Sequence, residues 1–177
     1  MKKILILSDT HSYIDQSIIK YVKQADEVWH AGDIGNIKIL TEIEKFSKTR
    51  SVHGNIDDHV IRSVSPETNT FFCEKIKVSM IHIAGNPPYF NKKTKKIIET
   101  EKPNILVYGH SHILKVKYNK ENKVLLINPG AVGRHGFHKK RTMVRFEING
   151  NDIENMEVIE LGNRSKSSNS VWRTNNF

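Results

Sequence analysis

The chain has 177 residues, 37% hydrophobic and 27% charged, with a formal net charge of +9 at pH 7, which fits one globular domain that attracts polyanions. No run approaches the roughly 20 apolar residues that cross a bilayer, and no small-residue cleavage site follows the first apolar run, so we expect neither membrane span nor export signal. The single cysteine, Cys73, excludes an intrachain disulfide and favours a reducing, cytoplasmic location, where we expect a buried structural thiol rather than a nucleophile.

The first half of the sequence alternates between short apolar runs and segments with helical spacing. Strands are predicted over residues 3–8, 27–31 and 49–53, and helices over 14–25 and 36–46. A β-α-β-α-β order predicts parallel strands with helical crossovers. We therefore expect an α/β fold in which the loops after the strands lie at one edge of a sheet.

The second half is richer in strands joined by turns. Strands are predicted over 71–72, 75–82, 105–108, 114–118, 124–128, 142–148 and 152–161, with a helix over 91–100 and a hairpin turn at Asn149-Gly150. We expect one domain over residues 1–161. Residues 162–177 then form a polar, loosely ordered tail, in which Trp172 and Phe177 offer apolar anchors.

Five short polar motifs fall at the ends of predicted strands. They are Asp9-Thr10-His11, Gly32-Asp33, Gly54-Asn55, His82 and Gly109-His110-Ser111-His112. The carboxyl ends of strands in an open α/β sheet border the ligand crevice, so loops there can bring distant residues to one point. Carboxylate, amide and imidazole donors without a thiolate suit Mn, Fe, Zn, Ni or Co.

The number of these donors predicts more than one metal ion. Two pairs of donors stand two residues apart, a spacing that on extended backbone directs both side chains to one side. The full set has seven candidate ligands: Asp9, His11, Asp33, Asn55, His82, His110 and His112. Seven is too many for one tetrahedral ion and about right for two ions that share a bridge. Asp33 is the expected bridge, because a carboxylate has two oxygens and Gly32 leaves room for the backbone.

In this order, the five motifs resemble the signature of the calcineurin-like metallophosphoesterases. The chain is most similar to the small bacterial and archaeal phosphodiesterases of that superfamily, over roughly residues 2–160. The resemblance implies a four-layer α/β/β/α sandwich of two mixed sheets flanked by helices. It also implies a hydrolase for phosphate esters, in particular phosphodiesters, that uses two divalent metal ions, with Mn favoured and Ni, Fe, Zn or Co as alternatives.

The resemblance implies a role for each motif residue. Asp9, His11 and His112 would hold the first metal, Asn55, His82 and His110 the second, and Asp33 would bridge both. Asp33, Asn55 and His82 are the expected catalytic residues. Two metals about 3.5–4 Å apart would acidify a bridging water, and the resulting hydroxide would attack phosphorus in line with the leaving oxygen.

Two motifs depart from the family pattern. Relatives often carry a histidine after the Gly-Asn of the third motif, where it can protonate the leaving group, whereas this chain has Ile56. Loss of a general acid typically costs about 10²–10⁴-fold, so another donor or a good leaving group is expected. In the fourth motif His82 is followed by Ile83-Ala84-Gly85 rather than directly by glycine, and His82 stays the expected ligand.

The remaining histidines have simpler interpretations. His30 is expected to be buried beside the site, His53 to belong to a strand and His59 to an exposed helical turn. Arg134 and His135 lie in a loop with His138, and this loop either contacts substrate or is plain surface. Asn128-Pro129-Gly130 is most simply a turn, and the alternative is that its backbone packs under the site.

Three functions stay open at this point. A phosphodiesterase acting on a small phosphate ester is favoured by the complete ligand set. A scaffold, like the retromer sorting subunit of the same fold, would be expected to lose ligands. A nuclease is motivated by the net charge of +9, although the lysines at 92–96 and the basic residues at 138–141 are more simply a solvated surface. The sequence is compatible with a homo-oligomer.

Overall fold

Two five-stranded β-sheets face each other in the computed structural model, which describes residues 1–165. Trp172 and Phe177, the expected anchors of the tail, lie outside these residues. In chain order the elements are β1 (Lys2–Leu7), α1 (Gln16–Val22), β2 (Glu27–His30), α2 (Ile37–Glu44), β3 (Lys48–Ser51), α3 (His59–Val64), β4 (Thr68–Cys73), β5 (Ile76–Ile81), β6 (Gly85–Asn86), β7 (Tyr89–Phe90), α4 (Lys92–Glu101), β8 (Ile105–Val107), β9 (Leu114–Asn119), β10 (Val124–Pro129), β11 (Lys140–Asn149) and β12 (Asp152–Asn163).

The first sheet has the strand order β12-β11-β1-β2-β3. Strands β1, β2 and β3 are parallel, which confirms the β-α-β-α-β opening. The hairpin of β11 and β12 turns at Asn149-Gly150 as expected, and β11 pairs antiparallel with β1. The two halves of the sequence therefore do not correspond to the two sheets, because the last hairpin returns to the first strand.

The second sheet has the order β4-β5-β8-β10-β9. Its three central strands, β5, β8 and β10, are parallel, and the outer strands β4 and β9 are antiparallel to their neighbours. Both sheets thus contain three parallel strands. The loops after five of these six strands, all but β10, carry the five polar motifs, so the topology gathers them at one end of the sandwich.

Apolar side chains fill three layers between the sheets and helices. Trp29, Val78 and Ile105 belong to the core between the sheets. Helices α1 and α2 cover the outer face of the first sheet, and α4 covers that of the second. This arrangement confirms the four-layer α/β/β/α sandwich of two mixed sheets flanked by helices.

The helices begin where polar side chains can satisfy free backbone amides. Asp15, Asn36 and Asn91 each accept a hydrogen bond from an amide of the first turn of α1, α2 and α4, respectively. Helix α1 starts later than the predicted 14–25 because Asp15 fixes its start, and it ends earlier, at Val22. No helix within residues 1–165 has the length and apolar character that a bilayer crossing requires.

Two predicted burial states are confirmed. Cys73 is buried, and burial raises the pKa of its thiol to about 11, so a reactive thiolate is disfavoured. His59 is exposed at the start of α3, a complete short helix where a single turn was expected.

Candidate metal centre

Every predicted ligand lies in a loop that follows a parallel strand. Asp9 and His11 come after β1, Asp33 after β2 and Asn55 after β3 of the first sheet. His82 follows β5, and His110 and His112 follow β8 of the second sheet. The carboxyl ends of these strands meet, so the loops of both sheets enclose one site.

The first group of donors comprises Asp9, His11 and His112, whose ligand atoms lie within 4.8 Å of one another. The Nε2 atoms of His11 and His112 are 3.4 Å apart, and Nε2 of His112 is 3.2 Å from Oδ1 of Asp9. Asp9 is fully buried, while both histidines are partly exposed. The group is thus open to solvent on its imidazole side.

The second group comprises Asp33, His82 and His110, with ligand atoms again within 4.8 Å of one another. Asn55 joins this group, because its Oδ1 lies 3.0 Å from Nδ1 of His110. Nδ1 of His82 donates to the carbonyl of Ala31 at 2.7 Å, which leaves its Nε2 as the bare nitrogen that faces Asp33. The two groups are those that the resemblance implied.

Asp33 contacts both groups. Its Oδ2 is 3.7 Å from Nε2 of His11 in the first group, and its Oδ1 is 3.2 Å from Nε2 of His82 in the second. Its Oδ1 also accepts from the amide of Ile56 at 3.2 Å. Because its two oxygens face different groups, Asp33 has the position that a bridging carboxylate needs.

Two buried polar atoms at the centre have no hydrogen-bond partner. They are Oδ1 of Asp9 and Nε2 of His82, which are 4.0 Å apart. Unpartnered buried donors and acceptors are costly, and an acceptor set that converges without protons fits cations. The donor set, carboxylate oxygens with imidazole nitrogens, suits the divalent transition metals.

Burial and nearby charge act against each other on the ionisable groups. Burial lowers the pKa of His82, but the carboxylates of Asp33 and Asp9 outweigh it and raise that pKa above its ordinary value. Burial raises the pKa of Asp33, and the adjacent imidazole of His82 more than reverses this. In His11, burial prevails over the same carboxylates and lowers the pKa. The carboxyl group of Asp33 therefore stays ionised at neutral pH.

Five ligand residues have backbone conformations in the left-handed region. Their φ angles are 55° for Asp9, 45° for His11, 52° for Asp33, 70° for His110 and 58° for His112. Such conformations cost about 1 kcal/mol or more per non-glycine residue, and they concentrate at functional sites. The expectation of extended backbone was therefore wrong. Asp9 and His11 share a group all the same, whereas His110 and His112 belong to different groups.

Three buried polar side chains support the ligand loops. Asp57 accepts from the amides of Gly35 and Gly54, both at 2.7 Å. Asn128 and Pro129 end strand β10 rather than forming the predicted turn, and the side chain of Asn128 donates to the carbonyl of Gly109 at 3.0 Å, so this segment packs under the site. His30 is buried as expected; it contacts Thr10 at 2.9 Å, and burial lowers its pKa to about 4. The sequence signal for Asp57 was its position, a carboxylate three residues after Gly54 in the third motif.

The loop over residues 133–138 borders the first group. The ring of His135 lies 4.8 Å from that of His11, and its side chain is exposed. The guanidinium of Arg134 instead donates to the carbonyl of Arg164 at 2.7 Å and lies 5.0 Å from the ring of Tyr13. Of the two predicted substrate contacts, only His135 adjoins a candidate ligand among the contacts described.

A cavity of about 390 Å³ adjoins the second group. Asn55 and His82 form its inner wall, and Arg62, Lys93 and His53 contribute cationic or ionisable groups. Lys93 pairs with Glu67, and Arg62 donates to the carbonyls of Asp57 and Gly54, so part of this positive charge is already engaged. His53 thus lines a cavity in addition to following β3.

Comparison with known proteins agrees with this geometry. A family model described as the calcineurin-like phosphoesterase superfamily domain matches residues 1–151. A probable metallophosphoesterase of Methanothermobacter thermautotrophicus is 27% identical over 162 residues, which cover 89% of this chain and 91% of the relative.

Solved structures share the fold at lower identity. A predicted phosphoesterase from Streptococcus pneumoniae TIGR4 aligns with a TM-score of 0.71 and 23% identity, over 90% of this chain and 89% of that one. A novel archaeal phosphodiesterase gives 0.71 and 19%, over 90% and 99%. Vps29 from Entamoeba histolytica, complexed with Zn²⁺, gives 0.69 and 16%, over 89% and 98%.

Proposed function

Because this chain belongs to the calcineurin-like phosphoesterase superfamily, we propose that it is a dinuclear metal-dependent phosphodiesterase. The observation that carries the proposal is the position of Asp33, whose two carboxylate oxygens face the two donor groups separately. With this bridge, all seven expected ligands belong to one centre. The archaeal phosphodiesterase of the same fold supports a diester as substrate.

The seven side chains would divide the work of holding the metals. Asp9, His11 and His112 would hold one ion and Asn55, His82 and His110 the other, with Asp33 shared. A pair of divalent cations would supply positive charge for the phosphate oxygens and lower the pKa of a nucleophilic water. Mn²⁺ is the favoured ion from the donor chemistry, with Ni, Fe, Zn or Co as alternatives.

Residues around the metal centre would orient the ester, and a cavity beside the centre would accommodate its organic group. The cavity beside Asn55 and His82 is large enough for a small ester group and is open to Arg62 and Lys93 on its wall. His135 is placed beside His11, which supports its role as a substrate contact. We propose no such role for Arg134, since its guanidinium is bonded to Arg164.

Proton donation to the leaving group distinguishes this chain from many relatives. Ile56 stands where they carry a histidine, and its side chain is 47% exposed beside the centre. A leaving group that departs as a stable anion needs no donor, whereas an alkoxide does. We therefore expect efficient cleavage of esters with acidic leaving groups.

The proposal is tested by hydrolysis of an aryl phosphodiester with added Mn²⁺. We expect turnover by the wild type and a fall of at least about 10²-fold in Asp33→Asn, because each ion supplies several kcal/mol of stabilisation. His59→Gln is the matched control, since it alters an exposed imidazole on α3 and should leave turnover unchanged. Absence of turnover with each of Mn²⁺, Ni²⁺, Zn²⁺, Co²⁺ and Fe²⁺ would refute the proposal.

A scaffold is the second candidate, because Vps29 shares the fold. The complete ligand set argues against a purely structural role. Turnover of the aryl phosphodiester separates the two functions, whereas metal retention alone does not, because the Vps29 structure is itself complexed with Zn²⁺. A nuclease is less well supported, since most exposed lysines of α4 line a separate surface hollow and only Lys93 also lines the cavity beside Asn55 and His82. A cytoplasmic location stays a prediction.

A further inference from the structure

His138 lies behind His112, on the side away from the metal centre. Nδ1 of His138 is 3.3 Å from Nδ1 of His112, and the two rings meet edge to face with centroids 5.2 Å apart. Nε2 of His138 is 3.1 Å from the carbonyl oxygen of Gly133. Each nitrogen of His138 therefore has one fixed partner.

These contacts determine where the protons lie. A carbonyl oxygen can only accept, so Nε2 of His138 carries a proton and, in the neutral ring, Nδ1 does not. Two bare nitrogens 3.3 Å apart would repel, so this contact favours a proton on Nδ1 of His112, in competition with Oδ1 of Asp9, which favours one on Nε2. With the proton on Nδ1, Nε2 of a neutral His112 is bare. This nitrogen faces Oδ1 of Asp9 at 3.2 Å and Nε2 of His11 at 3.4 Å.

We propose that His138 is a positioning residue, which fixes the tautomer and ring orientation of His112 so that a bare Nε2 faces the first metal. Metal-bound histidines generally donate their second nitrogen to a carbonyl, carboxylate or water, and that partner holds the ring in place. Here a second imidazole is the acceptor. The inference rests on the proposed function for its metal, although the tautomer itself is a property of the metal-free chain.

The backbone around His138 is held from two directions. The amide of Gly133 donates to the carbonyl of Asp9 at 3.1 Å, so the acceptor for His138 is attached to another ligand of the first group. The guanidinium of Arg164 donates to the carbonyl of His138 at 3.0 Å, and the amide of Arg164 donates to Lys139 at 2.9 Å. His138 is therefore held both through its imidazole and through its backbone carbonyl.

His82 achieves the same result in the second group by a simpler means. Its Nδ1 donates directly to the carbonyl of Ala31 at 2.7 Å. His112 has no described backbone acceptor at its Nδ1, and the imidazole of His138 occupies that place. Loss of His138 should therefore weaken the first group and leave the second unchanged.

Two substitutions separate the hydrogen bond from packing. His138→Phe keeps a ring of similar shape but removes the acceptor. His138→Asn loses the ring but keeps an oxygen near the position of Nδ1. If His138 acts through the hydrogen bond, Asn should be the better replacement; if it only fills space, Phe should be.

The first measurement is calorimetric titration of the full-length chain with Mn²⁺. His138→Phe should weaken one of the two binding steps by about 10–100-fold, and His138→Asn should stay within about threefold of wild type. His59→Gln should match wild type in both steps. Wild-type affinity in His138→Phe, or an equal loss in the two variants, would overturn the inference.

The second measurement needs neither metal nor activity. Long-range ¹H–¹⁵N spectra of the metal-free chain, at a pH where the imidazoles are neutral, report which nitrogen of His112 carries the proton. We expect Nδ1 in wild type and His138→Asn, and Nε2 in His138→Phe. A proton on Nε2 in wild type would overturn the inference. If wild type bound no metal, the proposed function would fail, while these spectra would still decide the role of His138.

Discussion

Gly54 is the position at which one added carbon should disable the centre. A Cβ built on Gly54 would lie only 2.8 Å from Cγ of Asp33, and it would approach Oδ1 and the amide nitrogen of Asp33 more closely still. Ordinary contacts begin near 3.4 Å, so the carboxylate of Asp33 would have to retreat by roughly 0.6 Å or more in a close-packed environment. Asp33 would then no longer lie between the two donor groups, although no ligand residue had been replaced.

The consequence for catalysis follows from the size of this displacement. A misplacement of about 1 Å can cost about 10²-fold in rate, so Gly54→Ala should lower kcat/KM for an aryl phosphodiester by about 10²-fold with Mn²⁺. Calorimetry should show one Mn²⁺ per chain bound tightly, in place of two. The circular dichroism spectrum of Gly54→Ala should match that of wild type, which checks that the variant is folded.

Gly150→Ala is the matched control for an added methyl group. Gly150 has a φ of +61° in the β11–β12 turn, and a Cβ there would meet nothing within 4 Å. It should lower the free energy of unfolding by about 1 kcal/mol and leave kcat/KM unchanged. If Gly54→Ala bound two ions tightly and kept wild-type kcat/KM, the bridging role of Asp33 would be refuted.

Three further predictions concern residues around the centre. The pKa of His30 is about 4 in the folded chain and its ordinary value is 6.5, so protonation favours the unfolded chain. The free energy of unfolding should therefore keep its full value above pH 6.5 and fall by about 3 kcal/mol in all as the pH drops toward 4. Urea unfolding of the metal-free protein should show this loss in wild type but not in His30→Gln, and equal slopes would contradict it. Cys73→Ala should keep full kcat/KM, and native Cys73 should resist alkylation at pH 8, because burial raises the pKa of its thiol; inactivation by either change would reinstate a thiol nucleophile. Ile56→His should speed cleavage of an alkyl diester by up to about 10²-fold and an aryl diester much less, and equal gains for both would argue against proton donation.

The sequence was most informative where local chemistry and strand position coincide. The five motifs at strand ends predicted the seven residues that the structure brings together, since the carboxyl ends of parallel strands in one sheet share an edge, although the sequence did not show that the edges of two sheets meet. The α/β class and the parallel opening were equally readable, because both depend on periodicity within short segments.

What the sequence did not disclose depends on contacts between distant segments. The pairing of β11 with β1 joins residues almost a chain length apart, and no local pattern specifies it. Asn128 and His138 support ligand loops through partners 19 and 26 residues away, so the sequence placed both near the site but did not disclose which groups they bind. The left-handed conformations of the ligands are likewise set by the surrounding fold.

Each donor group takes side chains from both sheets: Asp9 and Asp33 follow strands of the first sheet, and His112 and His82 follow strands of the second. A bound cation would therefore act as a cross-link between two halves of the sandwich that are otherwise joined mainly by apolar packing. Amide hydrogens in both sheets should then become protected together on metal loading.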